Sequence, residues 1–240
     1  MELRGVTALV TGAAHRVGKA IALGLAGSGA DVVLHFHTSG DEAVATAAEI
    51  RALGVSAALV SGDLADDAAA VLDGAGDLAP VRVLVNSAAV FPSDRFAEVS
   101  VEGWQRTLAV NLTAPVFLTQ EFARRLPADV DGAVVNVTDW RTARPYPDHF
   151  SYTVTKGGLD AFTRAAAEAL APRIRVNAVA LGAILPPPGK DSAYLRDLAR
   201  EIPMRKVGGT DPVVQAVLAL LANDFITGEI VRVDGGAHLR

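Results

Sequence analysis

Residues 6–29, VTALVTGAAHRVGKAIALGLAGSG, place an apolar stretch, a turn holding two glycines and an Ala/Leu-rich stretch in a row. Residues 6–10 read as a short buried strand, 11–18 as a tight turn and 19–28 as a helix closed by Gly29. Gly12 permits a backbone path that side-chain-bearing residues resist. Gly18 lets the helix N-terminus approach both the strand and a bound pyrophosphate. Plain turns use glycine too, so the loop alone decides the local fold but not the ligand.

Working outward, further apolar strands are expected at 31–37, 55–60, 81–85, 133–137, 174–180 and 229–233. Helical stretches separate them: 41–53, a short 66–72, a long 101–126, one opening with Tyr152, a short 192–200, and a last one begun by Asp211 and Pro212. Strands alternating with helices predict an α/β fold, a doubly wound, Rossmann-type sheet of seven mainly parallel strands. No linker or charge block divides the 240 residues, so 1–240 reads as a single domain.

Half the residues are apolar and the formal net charge is -5. Lysines and arginines are scattered, which argues against nucleic acid and anionic membranes as partners and for a small-molecule ligand. With no cysteine there is no disulfide framework, thiolate metal site or cysteine nucleophile, and no metal is expected. No apolar run approaches the roughly 20 residues of a membrane helix, and the N-terminus lacks a signal-peptide core, so a cytoplasmic location is expected. The sequons at Asn111 and Asn136 fall in a helix and at a strand end, where glycans are not attached.

Residues near the predicted strand ends carry the chemistry. The second strand ends in His37, Thr38 and Ser39, where a carboxylate for a ribose 2′-hydroxyl would be expected. Arg16, inside the glycine turn, could receive a 2′-phosphate there with its planar fork. NADPH is favoured over NADH. Asp63, after the third strand, could accept from an adenine amino group or cap the segment behind it, and both readings stand. Asn86 could bridge neighbouring strand ends through its amide, and Phe91, in the loop before Pro92, could stack on a flat ring. Pro115 removes the hydrogen bond to the carbonyl of Asn111, so the long helix should bend there and the freed carbonyl could hold a water. The segment 190–209, after a proline run at 186–188, is the candidate lid.

Tyr152 and Lys156 lie four residues apart, one turn along the same helix face. A lysine charge beside a phenol favours the tyrosinate, which would make Tyr152 a usable general acid near neutrality. Asp139 and Trp140 directly follow an apolar strand, at the sheet end where such folds bind ligands.

Taken in order, Thr11-Gly12 to Gly18, Asp63-Leu64, Asn86 to Ala89, Asn111, Tyr152-x-x-x-Lys156 and Val233-Asp234-Gly235-Gly236 resemble the short-chain dehydrogenase/reductase family over essentially the whole chain. Arg16 in place of the middle glycine, Asp139 in place of the usual serine, and the stretch His35 to Ser39 look like its pteridine reductase branch. The resemblance implies NADPH held by Gly12, Arg16, Val17, Gly18, His37, Thr38, Ser39, Asp63, Leu64, Asn86, Ser87, Ala88, Tyr152, Lys156, Gly182 and Ile184. It implies catalysis by Asn111, Asp139, Tyr152 and Lys156, and a pterin-like substrate, of the dihydropterin or dihydrofolate type, bound by Phe91, Asp139, Trp140 and Tyr152. A homotetramer packed through the long helices is implied as well. A carbonyl or 3-oxoacyl reductase is the alternative within the family, and a non-catalytic NADPH-binding sensor the alternative outside it.

Overall fold

A computed structural model of the protein describes residues 1–78, 80–187 and 189–240, so Pro188 of the proline run lies outside the described residues. Seven strands form one sheet in the order β3-β2-β1-β4-β5-β6-β7, and every pairing between neighbours is parallel. They are β1 (Thr7–Val10), β2 (Asp31–Phe36), β3 (Ala57–Ser61), β4 (Val81–Asn86), β5 (Gly132–Asp139), β6 (Ile174–Leu181) and β7 (Ile230–Val233). The chain winds one way from β1 to β3, then returns to lay β4 on the other side of β1. That reversal opens a crevice at the carboxyl ends of β1 and β4.

Because successive side chains point to opposite faces, each strand feeds two cores. Ala8 and Val10 pack on one face of β1 with Ile21 and Leu25 of α1 (Arg16–Gly27) and Val217 and Leu221, whereas Leu9 packs on the other with Leu118 and Phe122. Val217 and Leu221 belong to the C-terminal helix, Asp211–Ala222. All nine of these residues are at most 1% exposed, so neither face of β1 is open to solvent. The helix α2 (Gly40–Ala52) follows β2.

The predicted helix over 66–72 is instead a run of 3₁₀ turns over Ala69–Leu78, broken at Gly76, whose φ is 48°. Glycine is a poor helix former, and a Cβ on Gly74 would lie 2.4 Å from Val60, so the segment packs closely on β3. The predicted helix over 101–126 is α3 (Val101–Leu108), a π turn over Ala109–Thr113, and α4 (Ala114–Arg125). Pro115 has no N–H to give Asn111, and the ladder answers with a wide turn in which Ala114 donates to Ala109. Asn111 sits inside that turn, fully buried. The long helix α5 (Phe150–Leu170) then runs back along the sheet, starting two residues before Tyr152. Its first turn is held by Asp94, whose carboxylate accepts from the Ser151 backbone and hydroxyl. After β6, α6 (Ser192–Ala199) lies in the segment 190–209, and α7 (Asp211–Ala222) precedes β7.

Candidate active site

The glycine turn is shaped by its neighbours. Gly12 has φ 63°, and a Cβ there would stand 2.9 Å from the Ala88 Cα; one on Gly18 would stand 2.2 Å from the Gly12 carbonyl. Any side chain would push the two loops apart. Thr11 locks them: its hydroxyl accepts from the backbone N–H of both Ser87 and Ala88 at 3.0 Å. Below, His35 accepts from the Gly12 N–H through Nδ1 (3.3 Å) and faces the Gly62 carbonyl through Nε2 (3.1 Å), the pattern of a neutral imidazole. Burial holds its pKa below the ordinary histidine value. Neither Thr11 nor His35 was among the candidate residues; both signals lay in the sequence, one inside the glycine motif and the other two residues before His37.

Arg16 occupies a left-handed position (φ 58°), which explains why a glycine suits the place and costs an arginine roughly 1 kcal/mol. Its guanidinium is exposed and donates to the Pro186 carbonyl at 2.7 Å, tying the turn to the loop after β6. His37 and Thr38 are exposed just past the end of β2, with Ser39 half-buried there and Val17 half-buried in the first turn of α1. Asp63 is engaged by a residue that the sequence did not single out. Arg106 of α3 donates to both its carboxylate oxygens at 2.8 and 2.7 Å, the Ala65 N–H donates at 3.0 Å, and His37 lies 3.6 Å away. These partners hold the carboxyl below its usual pKa, with Arg106 the main cause. The capping reading of Asp63 therefore has its bond, and Leu64 beside it is buried.

The Asn86 side chain turns inward. It donates to Asn136 (2.8 Å) across the β4–β5 pair and toward Thr119 (3.3 Å), so it bridges strand ends, leaving the backbone of Asn86, Ser87 and Ala88 to line the crevice. Gly182 is required by packing, since a Cβ would lie 2.5 Å from the Asp234 Cα, and Ile184 is buried against Gly208. The segment 190–209 is pinned by Gly208 N–H to Ala183 and Met204 N–H to Gly235, with Leu195 and Ile202 buried under it.

Opposite the glycine turn, β5 and α5 bring Asp139, Tyr152 and Lys156 together. The Tyr152 hydroxyl donates to the Asp139 carboxylate at 3.0 Å, and the Lys156 ammonium donates to the Val137 carbonyl at 2.8 Å, 5.6 Å from the Tyr152 ring centre. Asp139 also accepts from the Arg141 N–H at 2.9 Å. Burial raises the Asp139 pKa, and burial together with the facing carboxylate raises that of Tyr152 well above the ordinary phenol. Burial lowers Lys156 to about 8. The expectation that lysine would depress the phenol is thereby corrected: the carboxylate faces the phenol directly, whereas the lysine spends its hydrogen bond on backbone. The Tyr152 phenol therefore rests protonated, its hydroxyl on Asp139.

Asn111 reaches this wall through its side chain. Its amide oxygen accepts from Val90 N–H (2.9 Å), and its amide nitrogen donates to the Val90 carbonyl (2.9 Å) and toward Thr155 of α5 (3.3 Å). That fastens the loop carrying Phe91 to the helix carrying Tyr152. Phe91 stands edge-on to Tyr152 (4.6 Å), but one of its faces is covered by His149, stacked at 3.8 Å and 12°. The Arg141 guanidinium also stands over the Phe91 ring, 5.7 Å from its centre. His149 takes a left-handed conformation (φ 52°), which no local sequence pattern foretold. Trp140 packs edge-on against Tyr146 at 5.4 Å, just outside the carboxylate.

The two walls, one of backbone and small residues and one of buried titratable groups, can bind a phosphate-bearing cofactor and move a proton beside it. A family model described as Enoyl-(Acyl carrier protein) reductase matches residues 12–238. The structure is similar to that of FolM Alternative dihydrofolate reductase 1 from Brucella canis, solved with NADP, with a TM-score of 0.96 and 38% identity, covering 100% of this chain and 96% of that one. The chain is also similar to the 3-oxoacyl-[acyl-carrier-protein] reductase FabG of Aquifex aeolicus, 33% identical over 98% of both chains. L-xylulose reductase of Bos taurus is 35% identical, again over 98% of both. With the parallel sheet, the glycine turn and the Tyr152–Lys156 pair in place, the chain belongs to the short-chain dehydrogenase/reductase family of NAD(P)-linked oxidoreductases.

Proposed function

We propose that this chain is an NADPH-dependent reductase of a pterin-like ring, of the dihydropterin or dihydrofolate type. The observation that carries the reading is the carboxyl of Asp139, bonded to Tyr152 where the family commonly has a serine. A serine hydroxyl donates to a carbonyl oxygen. A carboxyl whose pKa is raised by burial can instead hold a proton or accept from ring N–H groups, which a nitrogen heterocycle offers and a simple ketone lacks. The similarity to a dihydrofolate reductase solved with NADP supports the same reading.

In this reading Gly12, Val17 and Gly18 hold the pyrophosphate, Arg16, His37, Thr38 and Ser39 the 2′-phosphate, and Asp63 and Leu64 the adenine side. The Asn86–Ala88 backbone, Gly182, Ile184 and Lys156 border the nicotinamide half. Bound there, the cofactor supplies the hydride. Tyr152 gives its phenolic proton to the substrate, Asp139 fixes the ring nitrogens, and the Lys156 ammonium stabilises the tyrosinate that donation leaves. Phe91 borders the ring, and Trp140 closes the outer side. A tetramer packed through α4 and α5 belongs to the reading too, since Phe117 and Val154 on those helices are about half exposed.

A 3-oxoacyl reductase is the second reading, favoured by the similarity to the Aquifex enzyme over nearly its full length. Initial rates with NADPH on 7,8-dihydrobiopterin, dihydrofolate and an acetoacetyl thioester separate the two. A higher kcat/KM on a reduced pterin is expected; efficient turnover of the thioester with none of the pterins overturns the proposal.

A further inference from the structure

Among the described residues other than glycine, Arg16, His149 and Arg205 take a left-handed backbone. Such a conformation is costly away from glycine and persists where the contacts around it demand it. At His149, the N-cap of α5 three residues before Tyr152, two of those contacts run to the loop that carries Phe91. Nδ1 lies 2.6 Å from the Pro92 carbonyl, which can only accept, so Nδ1 carries the proton and donates it. The imidazole, 15% exposed, lies flat on Phe91, and Phe91 in turn meets the Tyr152 ring edge-on. Asp148 stands 3.7 Å from Nε2 and 3.2 Å from the Arg141 guanidinium.

Phe91 is itself 38% exposed, so core packing does not fix its plane. Its loop is anchored at Val90 by Asn111 and at Asp94 by Ser151, bonds that hold the chain and not the phenyl ring. We propose that His149 is a positioning residue of the substrate pocket: its ring sets the plane in which Phe91 meets Tyr152, so that a flat substrate ring meets an aromatic border ordered in advance. The inference rests on the pterin reading, which places Phe91 beside the substrate ring, and deepens it. An open-chain carbonyl has no ring to lay along that border. Ordering the border beforehand spares that cost when the substrate arrives, so the effect falls on binding and not on the proton step.

Two variants separate the ring from the hydrogen bond. His149→Asn suits the left-handed backbone and places an amide nitrogen where Nδ1 stands, losing only the ring, whereas His149→Phe keeps a ring and loses the donor. In steady-state kinetics with NADPH, His149→Asn should raise KM for 7,8-dihydrobiopterin about fivefold, the scale of one aromatic pair, with kcat within about twofold and KM for NADPH and for an acetoacetyl thioester unchanged. His149→Phe should stay nearer wild type. In calorimetric titration of the NADP-bound protein, biopterin affinity should follow the same order. Should His149→Phe not fold, Phe91→Leu takes its place: it should weaken biopterin, and adding His149→Asn to it should weaken biopterin no further. Unchanged biopterin affinity in His149→Asn, equal losses in both His149 variants, or an equal KM rise for pterin, thioester and NADPH overturns the positioning role and leaves the pterin reading intact. Ring-dependent biopterin binding in a protein that reduces no pterin upholds the role and removes the reaction assigned beside it; a wild type that binds no biopterin overturns both.

Discussion

The two walls of the crevice are built from opposite materials. On the β1 side the shape comes from backbone: Gly12 and Gly18 leave no room for a Cβ, and the hydroxyl of Thr11 and the neutral ring of His35 brace the turn. On the β5 side it comes from titratable groups: Asp139 at the end of β5, and the buried Tyr152 and Lys156 one turn apart on α5. Changes to the first wall should act through fit and be nearly indifferent to pH, whereas changes to the second should act through protons.

The largest effect that sharpens this contrast is expected at Tyr152. Tyr152→Phe keeps the ring against Phe91 and removes only the proton, so kcat should fall by at least about 10²-fold while NADPH binding, measured by fluorescence titration, stays near wild type. A variant with wild-type kcat would take the proton step away from this wall. Across the crevice, Arg16→Ala should weaken NADPH by roughly 1.5–3 kcal/mol and NADH far less, read as the ratio of their KM values. Equal losses would mean that Arg16 only ties the turn to Pro186.

Gly18→Ala comes next. Its Cβ must displace the Gly12 carbonyl from 2.2 Å, an overpacking cost of about 1–3 kcal/mol that denaturant unfolding would read, with the same loss at pH 6 and pH 9. The smallest effect is the pH limb of the other wall. Lys156 is held at about 8 by burial, so its ammonium is present below that pH and lost above it. kcat should decline as pH rises through about 8, by up to tenfold per unit. The unfolded lysine keeps its proton up to its ordinary 10.5, so the unfolded chain binds more protons between about 8 and 10.5. Lysine burial therefore opposes folding fully at neutral pH, and that opposition fades as pH rises through this window. A Lys156→Met variant whose kcat still fell through about 8 would assign the limb to another group.

The backbone wall was legible in the sequence because its signals are local: a strand, two glycines at fixed spacing and a helix that follows them. Asp139, Tyr152 and Lys156 were legible as residues, since one strand end and one helix turn supply all three. Their electrostatics were not. Whether a phenol is lowered by a lysine or raised by a carboxylate depends on which faces it, and that follows from the packing of β5 on α5. Arg106 on Asp63 and His149 on Phe91 were invisible for the same reason, each reaching its partner from a distant part of the chain. The helix interrupted at Asn111 was half foreseen, because Pro115 announces a fault in the ladder without saying that a π turn repairs it.

The central claim is that the carboxyl at 139 selects the substrate, and Asp139→Ser tests it most directly. The variant restores the common family hydroxyl and removes the acceptor for ring nitrogens, so the two substrate classes should diverge. Measured side by side with NADPH, kcat/KM on dihydropterin should fall by about 2–4 kcal/mol in transition-state stabilisation, while that on an acetoacetyl thioester holds or rises. Unchanged dihydropterin turnover in Asp139→Ser would contradict the account.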